Sequence, residues 1–317
     1  MDRSIDRSMD KFWANISLPI VKRMPKIKKP FLSILFIIGN LDYIRDMRSM
    51  KEVSLDKKII KTLKALDAAG KALEAAELII KDEEIQHIQN YANNVSIVRL
   101  GFNDHGPVHM RTVALNAITM LSLLRNAGIK TSLENEGVGD FEDSLIGTLF
   151  AAMLHDLGMC LGRQDHELYS SFMAAPILDR LLSELYKGNL QKKVMIRSLA
   201  LEGIAGHMGN RTIHSLEAGV ILIADGSDMT KGRARIPIAL GQAPRAGNIH
   251  QYSANSIEEV KITKGKEKPI RIEILMTSEV GLFQVEEVLM GKIAASTAKA
   301  HVELHTQVQG GEPKRYL

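Results

Sequence analysis

The sequence predicts a mainly α-helical protein that ends in a small α+β lobe. Apolar residues recur at three- and four-residue spacing through most of the first 245 positions, and after about residue 256 the spacing changes to two. Glycines close several of the helical stretches, among them Gly101, Gly128 and Gly158. These features divide the chain into a helical N-terminal region (1–80), a helical central domain (81–245) and a C-terminal lobe (246–317).

In the first region, "LDKKIIKTLKALDAAGKALEAAELIIK" reads as two helices broken at Gly70. Before it, "KRMPKIKK" leads into the apolar run "FLSILFIIG", Phe31 to Gly39. That run is far shorter than the roughly 20 residues a membrane-spanning helix needs. It lies too deep for a signal peptide, and no small-residue cleavage site follows it. A core helix with a solvated basic lead-in is the reading preferred over a membrane-surface contact.

The central domain reads as successive helices. "EEIQHIQNYANNVSIVRLG" is amphipathic and stops at Gly101. "GPVHMRTVALNAITMLSLLRNAG" begins with Pro107 in a first-turn position, carries the stripe Val113, Ala117, Met120, Leu121 and Leu124, and ends at Gly128. "SLIGTLFAAMLHDLG", "HELYSSFMAAPILDRLLSELY", "KKVMIRSLALEGIAGHM" and "SLEAGVILIADGSDM" follow as further helices. In the tail, "EEVKITKG", "PIRIEILM" and "HVELHTQV" alternate as strands around the helical "FQVEEVLMGKIAASTA", giving β-β-α-β.

The composition, 45% hydrophobic and 25% charged over 317 residues, is that of a globular protein with a sizeable core. A single cysteine, Cys160, excludes an intramolecular disulfide framework and a CxxC zinc site, and fits a cytoplasmic location. The net charge of +4 is too mild to argue for nucleic acid. The basic N-terminal stretch is short and lacks interleaved aromatics, which also argues against that partner.

The chemistry concentrates in "LFAAMLHDLGMC", Leu149 to Cys160, which reads as one apolar helix with His155 and Asp156 inside it. Asp156 falls on the side of Leu149 and Met153. A carboxylate there needs a partner, since burying it unpaired costs several kcal/mol. A divalent metal ion would satisfy both residues, because imidazole and carboxylate are common transition-metal ligands. Further donors lie elsewhere in the chain: His105 and His109 in "NDHGPVHMRTV", His166 in "RQDHELYSS", His207 in "GIAGHMGN" and Asp225 in "VILIADGSDM".

Taken in order, these segments resemble the HD superfamily of metal-dependent phosphohydrolases over about residues 95–240. "HMRTVA" is similar to the family's first helix, "LHDLGM" to its His-Asp helix, and "LIADGSDMTKGRAR" to its last. "DHELYSSFMAAPIL" and "GIAGHMGN" resemble the segments that carry the third and fourth histidines of the two-metal branches. "HGPVH" matches both histidines of the cyclic-nucleotide phosphodiesterases, with Gly106 in place of asparagine. After His207 stands "HMGNRT", where HD-GYP proteins carry Gly-Tyr-Pro. Uncharacterised prokaryotic HD-domain hydrolases are therefore the resemblance that fits.

The resemblance implies an HD-domain helical bundle. His109, His155, Asp156 and Asp225 hold one divalent ion, and Asp156 bridges to a second held by His166 and His207. The expected cofactor is thus one or two divalent ions, with manganese, iron, nickel, cobalt, zinc and magnesium all candidates. Two such ions clamp a phosphoryl group, and water bound to them ionises near pH 7. Asp156 then belongs to the catalytic machinery, with His105 as the general acid for the leaving oxygen. Arg163, Lys231, Arg233 and Arg235 are candidates to pair with substrate phosphate. The implied reaction is hydrolysis of a phosphoester, above all a phosphodiester of a nucleotide or cyclic nucleotide. A nucleotide phosphomonoesterase is the alternative. A nucleotide-binding sensor with little turnover, using the C-terminal lobe for output or homodimer formation, is a third reading.

Several neighbours receive lesser roles. Asp228, one turn after Asp225, reads as a supporting partner of the ligands, and His214 as a competitor to His207. Cys160 reads as a small buried residue. His301 and His305 read as sharing the exposed face of the last strand, with no role.

Overall fold

Helix α1 (Met50–Lys64) opens the folded unit, followed by α2 (Gly70–Lys81) and α3 (Glu83–Asn94), which continues as one π-helical turn, Val95–Arg99. The computed structural model describes residues 48–66, 70–230 and 253–317, so the "KRMPKIKK" and "FLSILFIIG" segments and Lys231, Arg233 and Arg235 lie outside the described residues. Next come α4 (Pro107–Asn126), α5 (Ser132–Glu136), α6 (Phe141–Leu154), a 3-10 turn at Leu157–Cys160, α7 (His166–Leu185), α8 (Leu190–Gly206) and α9 (Leu216–Gly226). The protein is thus mainly helical, with a small C-terminal α+β element. No helix among the described residues is long and apolar enough to cross a membrane.

Helix α6 forms the axis of the fold. Every one of its residues except Glu142 is buried, as expected of a helix that is apolar all round. It packs against α2, α4, α8 and α9. Helix α4 buries the expected stripe and ends in a Schellman motif, in which Gly128, at φ +75°, donates to Arg125 O while Ile129 donates to Leu124 O. The short helix α5 is absent from the sequence reading, although Thr131 and Glu134 close a capping box at its start.

A buried arginine fixes the start of α4. Arg111 is fully enclosed; its Nε donates to Asp56 Oδ1 of α1 at 2.7 Å and its Nη1 to Gln89 Oε1 of α3 at 3.0 Å. Gln89 in turn donates to Met153 O at 2.8 Å, near the end of α6. One polar network therefore joins α1, α3, α4 and α6. Its charges are paired, the condition under which buried ions are tolerated.

The tail forms a sheet of order β1-β2-β3-β4: β1 (Ile257–Lys264), β2 (Ile270–Met276), β3 (Val302–Val308) and the two-residue β4 (Lys314–Arg315). Strands β1 and β2 are antiparallel, as are β3 and β4, whereas β2 and β3 run parallel. The parallel pair needs a crossover, supplied by the π-helical Gln284–Leu289 and by α10 (Met290–Ala295). The order is thus β-β-α-β with an added edge strand. His301 lies in a 3-10 turn before β3, and His305 lies within β3, flanked by β2 and β4, so the two do not share a terminal strand.

Met50–Leu317 form one compact unit. Helix α1 covers α4 and α2 covers α6, while Ile270, Ile272, Ile274 and Met276 of β2 join the same hydrophobic cluster as the helices. A sheet with one apolar face must cover it, and here the helical core does so.

Candidate metal centre

Helix ends place the polar residues. Helix α6 stops at Leu154; His155 caps it and Asp156 opens the following 3-10 turn, so neither lies within it. The apolar pattern runs on through Leu157, which masks the break. The last turn of a helix leaves carbonyls without intrahelical partners. His155 takes one of them, Nδ1 to Ala152 O at 2.8 Å. His207, which caps α8, repeats the device with Ile204 O at 2.7 Å, and His166, at the start of α7, uses Arg163 O at 2.9 Å. His109 lies in the first turn of α4, and its Nδ1 donates to Asp228 Oδ2 at 2.7 Å.

Close contacts lock these segments together. Gly158 donates to Ser170 Oγ at 2.8 Å, and a Cβ at Gly158 would lie 2.1 Å from His166 O, so only glycine lets the turn after Asp156 reach α7. Gly106 has a similar cause, because a Cβ there would lie 2.4 Å from Asn93 Cβ.

The hydrogen bonds fix the tautomers. A carbonyl oxygen only accepts, so each of those Nδ1 atoms carries the proton and each Nε2 presents a lone pair. The Nε2 atoms nevertheless face one another, His109 to His155 at 3.1 Å and His166 to His207 at 3.1 Å. Asp156 stands between the pairs. Its Oδ2 is 3.3 Å from both His109 and His155 Nε2, and its Oδ1 is 3.2 Å from His166 Nε2 and 3.4 Å from His207 Nε2. Asp225 Oδ1 lies 3.2 Å from His109 Nε2 and 3.8 Å from His155 Nε2. Lone pairs converging in a buried space are a set of donors that a cation could satisfy. Donors around one ion at about 2.1 Å stand roughly 3.0–3.4 Å apart at square to tetrahedral angles, which matches nearly all these separations. These buried His and Asp groups could hold a metal ion: His109, His155 and Asp156; His155, His207 and Asp225; and Asp156, His166 and His207.

Electrostatics favour the ligating forms. Burial opposes ionisation of Asp156, but positive charge on the surrounding imidazoles, His155 first and then His109 and His166, outweighs it and holds the carboxyl well below its usual range, the same role a bound cation would fill. Burial likewise opposes ionisation of Asp225, and Lys292 together with His109 and His155 overcomes it. Burial pushes His207 down to about 4, beyond what the hydrogen bond to Asp156 restores, so its imidazole is neutral at physiological pH.

A cavity of about 420 Å³ opens onto the cluster, within the range of small-molecule sites. His105 lines it, with Nδ1 held 2.7 Å from Asn103 O and 2.9 Å from Ser96 Oγ. Arg163 lines it too, with Nη1 3.5 Å from His166 Nε2. So does Lys292 of α10, a residue the sequence reading missed because no motif surrounds it. Its Nζ bonds to Asp225 Oδ2 and donates to His207 O at 3.0 Å. Glu167, also missed, lies with Oε2 3.4 Å from His166 Nδ1 and accepts from Asn210 at 2.9 Å.

His214 is exposed and stands outside the cluster. Cys160 is half-buried rather than buried. Burial raises its thiol pKa, and its Sγ lies 3.7 Å from Met173 Sδ.

The fold and cluster define a mainly helical protein whose buried histidines and aspartates could hold metal. No family model matches the chain, and no solved structure matches it. The uncharacterized protein MJ1020 of Methanocaldococcus jannaschii is 41% identical over 235 residues, spanning 74% of this chain and 88% of that protein. The chain belongs to the family of MJ1020.

Proposed function

We propose that the protein is an HD-type, metal-dependent phosphohydrolase that holds two divalent ions and cleaves a phosphodiester of a nucleotide or cyclic nucleotide. The observation that carries this reading is the division of Asp156. One oxygen faces His109 and His155, and the other faces His166 and His207. A carboxylate shared in this way would hold an ion on either side, one with His109 and His155 and one with His166 and His207. Divalent ions bound there supply Lewis acidity toward a phosphoryl oxygen and acidify water toward neutral pH.

The chain's own groups do the rest. Arg163 at the rim carries the planar fork that pairs with phosphate oxygens. His105 keeps its Nδ1–H anchored on Asn103 O, so as the imidazolium it delivers the Nε2 proton to the leaving oxygen and is left as the neutral ring with Nδ1–H still on Asn103 O. Met208 and Met229 give the cavity an apolar lining suited to a nucleobase or sugar. A cytoplasmic location belongs to the same reading and rests on the lone cysteine.

The test is a phosphoester screen on manganese-loaded protein, comparing cyclic nucleotides and bis(p-nitrophenyl) phosphate with nucleoside monophosphates. Diester cleavage that is abolished in Asp156→Ala supports the proposal. Cleavage of monoesters alone replaces diester by monoester. Full activity in Asp156→Ala overturns the mechanism.

A further inference from the structure

We propose that Lys292 makes Asp225 a one-oxygen ligand and thereby sets which ions the His109/His155 half of the site accepts. This inference rests on the metal-binding reading above and adds a determinant of ion choice that lies outside the His and Asp ligands.

Asp156 and Asp225 bring four carboxylate oxygens to the cluster. Three of them face histidine Nε2 atoms: both oxygens of Asp156, and Oδ1 of Asp225. The fourth, Asp225 Oδ2, meets the ammonium of Lys292. The lysine is built into that position. Its side chain is 12% exposed, and a second hydrogen bond runs from Nζ to His207 O at 3.0 Å. Its stem crosses Gly226, where an added Cβ would lie 3.0 Å from Lys292 Cδ. Helix α10 is itself pinned to α9. Ser296 donates to Gly219 O at 2.8 Å, Thr297 donates to Ser215 O at 2.6 Å, and a Cβ at Gly219 would meet Thr297 Oγ1 at 2.1 Å.

The consequence concerns coordination number. Calcium takes six to eight oxygens and readily uses carboxylates through both, whereas first-row transition ions accept fewer donors and favour imidazole. With Oδ2 held by the ammonium, the first half of the site offers an ion two imidazoles and two single oxygens. That set suits a transition ion and starves calcium. The C-terminal element therefore acts as an ion filter for a centre otherwise built from the helical core. Lys292 is in this sense a positioning residue that works through Asp225.

The experiment measures binding of Ca²⁺ and of Mn²⁺ separately, by calorimetry, on the full chain carrying Lys292→Met or Lys292→Arg and on the wild type. Removing a positive charge raises affinity for every dication, so the informative quantity is the Ca²⁺-to-Mn²⁺ affinity ratio. The expected result is a rise of about tenfold in that ratio for Lys292→Met, with Lys292→Arg keeping the wild-type value because its guanidinium still occupies Oδ2. An unchanged ratio in Lys292→Met overturns the inference while leaving the metal reading intact. A wild type that binds neither ion overturns the metal reading itself. Should Lys292→Met fail to fold, Lys292→Leu makes the same test by removing the ammonium while keeping an apolar stem, with a raised ratio expected and an unchanged one contradicting.

Discussion

The two halves of the cluster are built by the same device and end with different donor sets. In the first, His109 and His155 face each other across Asp156 Oδ2, and Asp225 Oδ1 adds a second carboxylate. In the second, His166 and His207 share Asp156 Oδ1, and no further carboxylate oxygen lies within 4 Å of either Nε2 among the described contacts. The Nδ1 partners differ in part: His109 bonds to the carboxylate of Asp228 at 2.7 Å, whereas His155, His166 and His207 bond to backbone carbonyls, with Glu167 Oε2 farther off at 3.4 Å from His166 Nδ1. A carboxylate partner makes the imidazole a stronger donor. If two ions bind as proposed, the difference in donors predicts that the first half would be the tighter seat and the second the more exchangeable one.

The largest effect expected is at the residue common to both halves. Asp156→Ala removes an oxygen from each and should abolish metal retention and phosphoester turnover together, read by elemental analysis and by rate. Changes confined to one half sharpen the comparison. Asp225→Ala should strip the first half, and His207→Ala should lower the metal content by one ion while leaving the first half loaded. Titration of the wild type with Mn²⁺ should accordingly fill the two halves in succession; a single phase with equal affinities would break the asymmetry.

Smaller still is the effect of the orienting carboxylate. Asp228→Ala keeps every proposed ligand but frees the His109 ring, and should cost about 10–100-fold in affinity at the first half. If the affinity is unchanged, the partner of Nδ1 does not distinguish the halves.

The smallest effect lies away from the cluster. Asp82 caps α3 through the Ile85 N–H at 3.0 Å and pairs with Arg180 of α7 at 2.5 Å. Burial works against its ionisation, yet the Arg180 bond and the cap together hold its carboxyl below the usual value. A depressed carboxylate stabilises the fold above the unfolded pKa of about 3.9, and that contribution disappears as pH falls through the lower folded value. Asp82→Asn keeps the cap and loses the charge pair. Because Arg180 is 47% exposed, the loss should be only about 0.5 kcal/mol at pH 7, and it should vanish near pH 2 in chemical denaturation.

The helical core and its polar residues were largely legible in the sequence. An aspartate or histidine inside an apolar stretch needs a partner, and His155, Asp156 and Asp225 stood out for that reason, whereas His109, His166 and His207 lay near helix ends and joined them as ligands through the family resemblance. The termination of α6 was not legible, because Leu157 continues the apolar period past His155 and Asp156 and only the tertiary contact of Gly158 with α7 reveals the turn. Lys292 was hidden differently. It lies in a segment whose local pattern speaks only of a crossover helix, and its role comes from α10 packing on α9 far away in sequence. Helix α5 had a readable capping box at Thr131 and Glu134 that propensity alone did not bring forward in so short a segment. The merging of the tail with the helical core was invisible because period-two spacing marks an apolar face without saying what covers it.

The most direct test of the metal centre is the number of divalent ions per chain, by elemental analysis after manganese loading and desalting, for the wild type and for His207→Ala. The two-ion reading predicts a ratio near two for the wild type and near one for His207→Ala. A wild type that retains no metal would contradict it.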